Sequence, residues 1–183
     1  MLTRVLTLAS LSLLSLSAAT YRGAVPTEDS TFSLDTVHFG IVVSDIDAAA
    51  TFYGDILGLK ELDPFSVPAS LCSDAGLTDD HPLEVRVFAT TADNDKATNV
   101  KLMQLPGVKS KASDNAFIHS QLGISYLTFF VKDLSASMRR VEQAGGKALA
   151  QGPVALGDAA TSPHLALVRD PDGNLIELIG PKL

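Results

Sequence analysis

Four polar side chains interrupt apolar runs in this chain. His38 opens "HFGIVV", Lys101 lies in "NVKLMQL", Tyr126 opens "YLTFFV", and Glu177 stands between Ile176 and Leu178 in "NLIELIG". An imidazole, an ammonium, a phenol and a carboxylate can together orient a small molecule or move a proton, provided that the fold brings them to one face. Taken singly, three of them are bland: His38 reads as a satisfied core histidine, Lys101 as a snorkelling rim residue, Tyr126 as an amphipathic wall. Glu177 is not, because an ionised carboxylate buried in such a run needs a partner.

What links the four is an internal repeat. The stretch "HFGIVVSDIDAAATFYGDILG" from His38 aligns without a gap on "YLTFFVKDLSASMRRVEQAGG" from Tyr126. Each reads as an apolar strand, an Asp (Asp45, Asp133) suited to cap a helix N-terminus, an amphipathic helix and a terminal Gly (Gly58, Gly146). Ile46, Ala49, Phe52, Tyr53 and Ile56 form the apolar stripe of the first helix; Leu134, Met138 and Val141 form that of the second. Strand-like segments follow each helix: "LKELD", "EVRVFATT" and "NVKLMQL", then "KALAQ", "HLALVRD" and "NLIELIG". Asp172-Gly173-Asn174 marks a turn between the last two. The expected fold class is α+β, built of paired βαβββ modules, the first at about residues 34–105 and the second at about 122–181 within a single domain 34–181.

Period-two alternation then assigns faces. Val37, Phe39, Ile41 and Val43 should lie under the first helix and Leu127, Phe129 and Val131 under the second, with Val100, Leu102, Ile176 and Leu178 beside them. That turns His38, Gly40 and Val42, together with Lys101 and Met103, to the opposite, concave face. In the second module Tyr126, Thr128, Phe130 and Glu177 point the same way. Arg86 is a further candidate for the mouth of the concavity, a solvated edge being its alternative. The connections 106–121 and "DPFSVPASLCSDAGLTDDHP" are long enough to act as lids.

The segments "HFGIVVSDIDAAATFYGDILGLK" and "DPDGNLIELIG" resemble the vicinal oxygen chelate superfamily, which includes glyoxalase I, bleomycin-resistance proteins, methylmalonyl-CoA epimerase and extradiol dioxygenases. The resemblance covers about residues 34–181. It implies a divalent metal held by His or carboxylate on the first and last strands of each module, with His38 and Glu177 at two of the four positions. Lys101 stands where glyoxalase-type members have Glu, and Tyr126 where they have His. An ammonium only donates and repels a cation, so the charge-substitution reading lets Lys101 replace the metal, pair with Glu177 and donate to Tyr126 or a ligand oxygen.

The remaining features bound the setting. Arg4, the apolar run Val5–Leu16 and Ser17-Ala18-Ala19 read as a secretory signal, residues 1–19, followed by a lead-in at 20–33. The expected location is therefore periplasmic or secreted, with no membrane anchor after processing; organellar targeting is the alternative. Removing residues 1–19 takes away one base, Arg4, and no acid, leaving 13 basic against 21 acidic residues and a formal charge of −8. That balance argues against nucleic acid as a partner. The single Cys72 excludes an internal disulfide and reads as an inert buried thiol. No GxGxxG, P-loop, CxxC, HExxH or GxSxG pattern occurs.

Three functions follow from this reading. The first is a metal-independent concave site for a small polar or anionic carbonyl compound, with His38, Glu177 and Tyr126 as catalytic candidates. Lys101, Arg86, Thr128, Phe130 and Met103 are its binding candidates. The second is a glyoxalase-like metal-dependent lyase or isomerase, or a dioxygenase relative, with a divalent metal on His38 and Glu177. The third is a non-catalytic interaction protein whose concavity is closed by another chain, a homodimer being one such assembly.

Overall fold

A computed structural model describes residues 32–34, 36–91 and 96–183. The expected signal and most of the lead-in lie outside the described residues. Leu34–Leu183 form one compact unit.

Within it, each half is a four-stranded mixed sheet. The first comprises β1 (His38–Val42), β2 (Lys60–Val67), β3 (Leu83–Ala89) and β4 (Asn99–Gln104), in the order β1-β4-β3-β2. The second comprises β5 (Tyr126–Phe130), β6 (Val154–Ala155), β7 (His164–Arg169) and β8 (Leu175–Gly180), in the order β5-β8-β7-β6. In both, the first strand pairs parallel with the last, and the other pairs are antiparallel. The sequence repeat is thus a repeat of topology, two βαβββ modules.

Helix α1 (Ile46–Ala50) passes into a π-wound turn, Thr51–Ile56, and α3 (Leu134–Gln143) is its counterpart; a short α2 (Ala69–Asp74) follows β2. Asp45 accepts from the backbone N–H groups of Asp47 and Ala48, and Asp133 accepts from that of Ala136. Such a cap contributes about 1 kcal/mol by satisfying donors that the first helical turn leaves open. One core unites the modules: Ala49, Phe52 and Tyr53 pack with Val100 and Leu102, and with Leu134, Met138, Val141, Ile176 and Leu178. Each large apolar side chain buried there contributes roughly 1.5–3 kcal/mol.

Polar contacts clasp the halves at the core's rim. Arg140 Nε donates to the Ile56 carbonyl at 2.9 Å, and the Tyr53 hydroxyl donates to Asp170 Oδ2 at 3.0 Å. The Ser44 N–H approaches both Asp172 carboxylate oxygens at 3.2 Å. Asp170 also organises the β7–β8 turn, its Oδ1 accepting from the N–H groups of Asp172 and Asn174, while Gly173 adopts φ +85°. The DPDGN run is therefore both a turn and a clasp.

Four expectations change. Val37 is exposed rather than packed under the first helix, because it precedes β1, which begins at His38. "KALAQ" is not a strand: a turn occupies it, with Ala150 left-handed and the Gly152 N–H returned to Leu149, so pairing with β7 begins only at Val154. "LKELD" extends to Val67, passing Pro64 where the register shifts between Leu62 and Phe65. β2 is an edge strand, where a bulge tolerates the missing N–H. The supposed lid after it accordingly shrinks to α2 and a turn.

Candidate functional site

The parallel ladders place the polar candidates. In the first sheet His38 pairs with Asn99, Gly40 with Lys101 and Val42 with Met103. Since cross-strand partners share a face, all six lie opposite α1 and its π-wound extension. His38, Asn99 and Lys101 line a hollow of about 580 Å³ floored by Val87 and walled by Lys60, Asp63 and Phe65. Asn99 is 2% exposed, and its Nδ2 lies 3.3 Å from His38 Nε2. Lys101 is half-buried and makes no ion pair or hydrogen bond among the described residues.

In the second sheet Thr128 pairs with Glu177, and its hydroxyl donates to Glu177 Oε2 at 2.7 Å. The carboxylate between two buried neighbours thus faces the other side of the strand and has a donor. Tyr126 and Phe130 lie on the same face; Phe130 is 81% exposed. Tyr126 also borders a second hollow, of about 290 Å³, roofed by Lys111, Asn115 and Gln121 from the connection between modules. That connection is held down by Arg169, whose Nη2 donates to the Asn115 carbonyl at 2.8 Å.

The structure therefore assembles two half-sites. His38 and Lys101 share one hollow, and Thr128 and Glu177 are bonded in the other module. Among the described residues no hydrogen bond or ion pair joins Lys101 or His38 to Glu177 or Tyr126, and no three of His, Cys, Asp and Glu gather as a metal cage.

Two binding candidates take other positions. Arg86 is opposite Leu102 on the helix side, where it grips Glu61 through Nε and Nη2 at 2.6 and 2.8 Å and Asp47 through Nη1 at 2.8 Å. Hydrogen bonding from Arg86 lowers the Glu61 pKa, and the same pair raises that of Arg86. The register decides its face, because Val87 rather than Arg86 is the cross-strand partner of Lys101. Met103 has the face of Lys101, but it packs against a small core of Cys72, Leu83, Val85 and Val87 beneath α2 and does not line the hollow with His38. Cys72 is fully buried, as its apolar setting required.

Sequence reading passed over Asn99 and α2. Asn99 has the parity of Lys101 and was legible as a face residue. α2 carried a helix-start signal in Pro68 and a stop in Gly76, which adopts φ +70°.

A family model described as Glyoxalase/Bleomycin resistance protein/Dioxygenase superfamily matches residues 36–178. A lactoylglutathione lyase of Haemophilus influenzae is 27% identical over 150 residues, covering 81% of this chain and 94% of that protein. Among solved structures, a glyoxalase family protein from Bacillus cereus superposes with a TM-score of 0.69 at 19% identity, over 86% of this chain and all of that one. Glyoxalase I of Zea mays, as a V278E mutant, gives 0.58 at 22% identity, over 81% of this chain and 45% of that one. These structural likenesses concern the fold.

Proposed function

This chain belongs to the Glyoxalase/Bleomycin resistance protein/Dioxygenase superfamily, and from that premise we propose that it binds a small polar or anionic carbonyl compound on the concave face, with Lys101 supplying the positive charge. The observation that carries this reading is the half-buried Lys101, without an ion pair or hydrogen bond among the described residues, in one hollow with His38. An ammonium there attracts a carbonyl or carboxylate oxygen. Asp63 lines the same hollow and offsets Lys60, and Glu61 is already committed to Arg86.

The divalent metal that the family implies fits these residues poorly. Lys101 has no lone pair to give when protonated, the His38 Nε2 faces an amide nitrogen, and Glu177 is engaged by Thr128. The likeness to a lactoylglutathione lyase favours the second reading, a metal-dependent lyase or isomerase. Metal content per chain separates the two: stoichiometric metal lost on His38→Ala/Glu177→Ala would favour the lyase, and its absence the charge-substituted site.

Members of this superfamily bind small molecules and often form dimers. We read this chain as a homodimer in which a second copy covers the exposed Phe130 and sets Tyr126 and Glu177 opposite His38 and Lys101. The signal-like residues 1–19 support export after cleavage near Ala19, which the N-terminal mass of the mature protein tests.

The binding test is an NMR titration with pyruvate and with glyoxylate as probes. A lost hydrogen bond to a charged group is worth about 1.5–3 kcal/mol, so Lys101→Met should weaken binding roughly tenfold to hundredfold while Lys101→Arg retains most of it. Equal affinity of wild type and Lys101→Met would refute the reading.

A further inference from the structure

The site just proposed depends on which nitrogen of His38 carries the proton, and the ladder behind it decides that. His38 and Asn99 are Cα partners in the parallel β1–β4 pair. That register sets the buried Asn99 amide against the imidazole, with Nδ2 at 3.3 Å from Nε2. An amide nitrogen only donates, and a neutral imidazole has one donating and one accepting nitrogen. With Nδ2 as the atom facing the ring, Nε2 takes the accepting role and the proton falls to Nδ1.

We propose that Asn99 is a positioning residue that holds His38 in the neutral Nδ1–H tautomer, so that Nδ1–H is the group His38 offers to a ligand. This deepens the reading above and rests on it. Nδ1 makes no hydrogen bond among the described residues, and His38 is exposed on the concave face. The charged groups lining the same hollow are Lys101 from β4 and Lys60, Glu61 and Asp63 from β2, and none of them bonds to the ring.

The consequence is a site with two kinds of donor, an imidazole N–H and the Lys101 ammonium, rather than a donor and a base. It fits a ligand that offers acceptor oxygens without protons, such as a 2-oxo carboxylate. It disfavours the corresponding hydroxy acid, whose hydroxyl proton would lack an acceptor at His38. It also withdraws Nε2 from metal coordination, because its lone pair is directed at Asn99.

Long-range proton–nitrogen NMR of the full chain labelled at histidine reads the tautomer directly, at a pH well above the usual imidazole range of about 6.5. His38→Gln identifies the resonance among the four histidines. The expected pattern is a protonated Nδ1 and a bare Nε2, the reverse of the tautomer that free histidine prefers in water. Asn99→Asp places an acceptor in the same shape and should reverse the pattern; Asn99→Leu should release it to a mixture. A wild-type ring protonated on Nε2 overturns the inference without any variant, so a variant that fails to fold does not protect it. A pattern unchanged in folded Asn99→Asp overturns it equally.

Pyruvate and lactate titrations of the same samples separate this inference from the function it rests on. An Nδ1–H ring with pyruvate binding indifferent to Lys101→Met leaves the tautomer standing and removes the function. An Nε2–H ring with Lys101-dependent pyruvate binding does the opposite. Where both hold, pyruvate binds wild type at least about tenfold more tightly than lactate, a preference of the size that unpaired polar groups produce.

Discussion

Removing one oxygen atom tests the clasp between the modules. Tyr53 is fully buried, and its hydroxyl donates at 3.0 Å to Asp170, itself 5% exposed. Besides Tyr53, the Asp170 carboxylate accepts from the Asp172 N–H at 3.0 Å, the Asn174 N–H at 2.8 Å and Asn174 Nδ2 at 2.9 Å. No cation pairs with it among the described residues, so these donors carry the whole burden of its burial. Tyr53→Phe keeps the ring in the core, where it meets Phe52 edge-on, and deletes one of the four. A hydrogen bond to a charged group contributes about 1.5–3 kcal/mol, and Tyr53→Phe should lower the unfolding free energy by that amount at neutral pH. Burial first, and then the Asp170 charge beside it, hold the Tyr53 phenol far above its ordinary pKa of 10.0. The sign follows: the unfolded chain ionises this phenol above about pH 10 and the folded chain does not, so stability present below that pH is lost as pH rises through it. Tyr53→Phe should lose less than wild type over the same alkaline interval. The chain contains no Trp, so urea unfolding followed by far-ultraviolet circular dichroism is the assay, with half-exposed Tyr126→Phe as control. A Tyr53→Phe protein within about 0.5 kcal/mol of wild type at neutral pH, the range of an inconsequential surface change, would refute the clasp.

Further outcomes follow from other contacts. Gly180→Ala should destabilise by about 1–3 kcal/mol in thermal unfolding, because the new methyl would run into the Val131 backbone carbonyl, which cannot yield as a flexible side chain would. Glu61→Gln removes a partly exposed partner of Arg86, so its cost should stay below about 1 kcal/mol. Since Arg86 lowers the Glu61 pKa, that cost is present above the unfolded carboxylate pKa and disappears as pH falls through the folded one, which acid unfolding of the two proteins compares. Thr128→Val deprives Glu177 of its donor at 2.7 Å while keeping the side-chain shape; if Glu177 takes part in binding, pyruvate affinity falls about tenfold. Phe130→Asp should shift the sedimentation mass from dimer to monomer, and a wild-type monomer would remove the two-chain site.

How far the sequence could be read depends on whether a feature is written in one segment or in the meeting of two. Period two is local, so the sequence alone separated Phe39 and Ile41 from His38 and Gly40, and Ile176 and Leu178 from Glu177; the burial along β1 and β8 follows that division. The caps at Asp45 and Asp133 and the DPDGN turn are local in the same sense. By contrast, Arg86 is described wrongly by its own strand and correctly by its neighbours. Its face follows from the register with Leu102, and its partners Glu61 and Asp47 come from an edge strand and a helix that a single segment does not reveal. Pro64 shows a similar effect, since it ends a strand on propensity and yet sits within one where the edge can bulge.

The four aligned polar residues combine both cases. Their faces are a local property, but their convergence needs two sheets to meet, and within one chain those sheets share their helix sides. The concave faces are left to whatever completes them, and at the repeat-equivalent positions they are chemically complementary. Gly40 stands beside Lys101 where Thr128 stands beside Glu177, so the cation lacks the hydroxyl partner that the carboxylate has. One half-site is thus self-satisfied and the other is not. An oxygen ligand therefore has its strongest attraction at Lys101 and His38, whatever stands opposite.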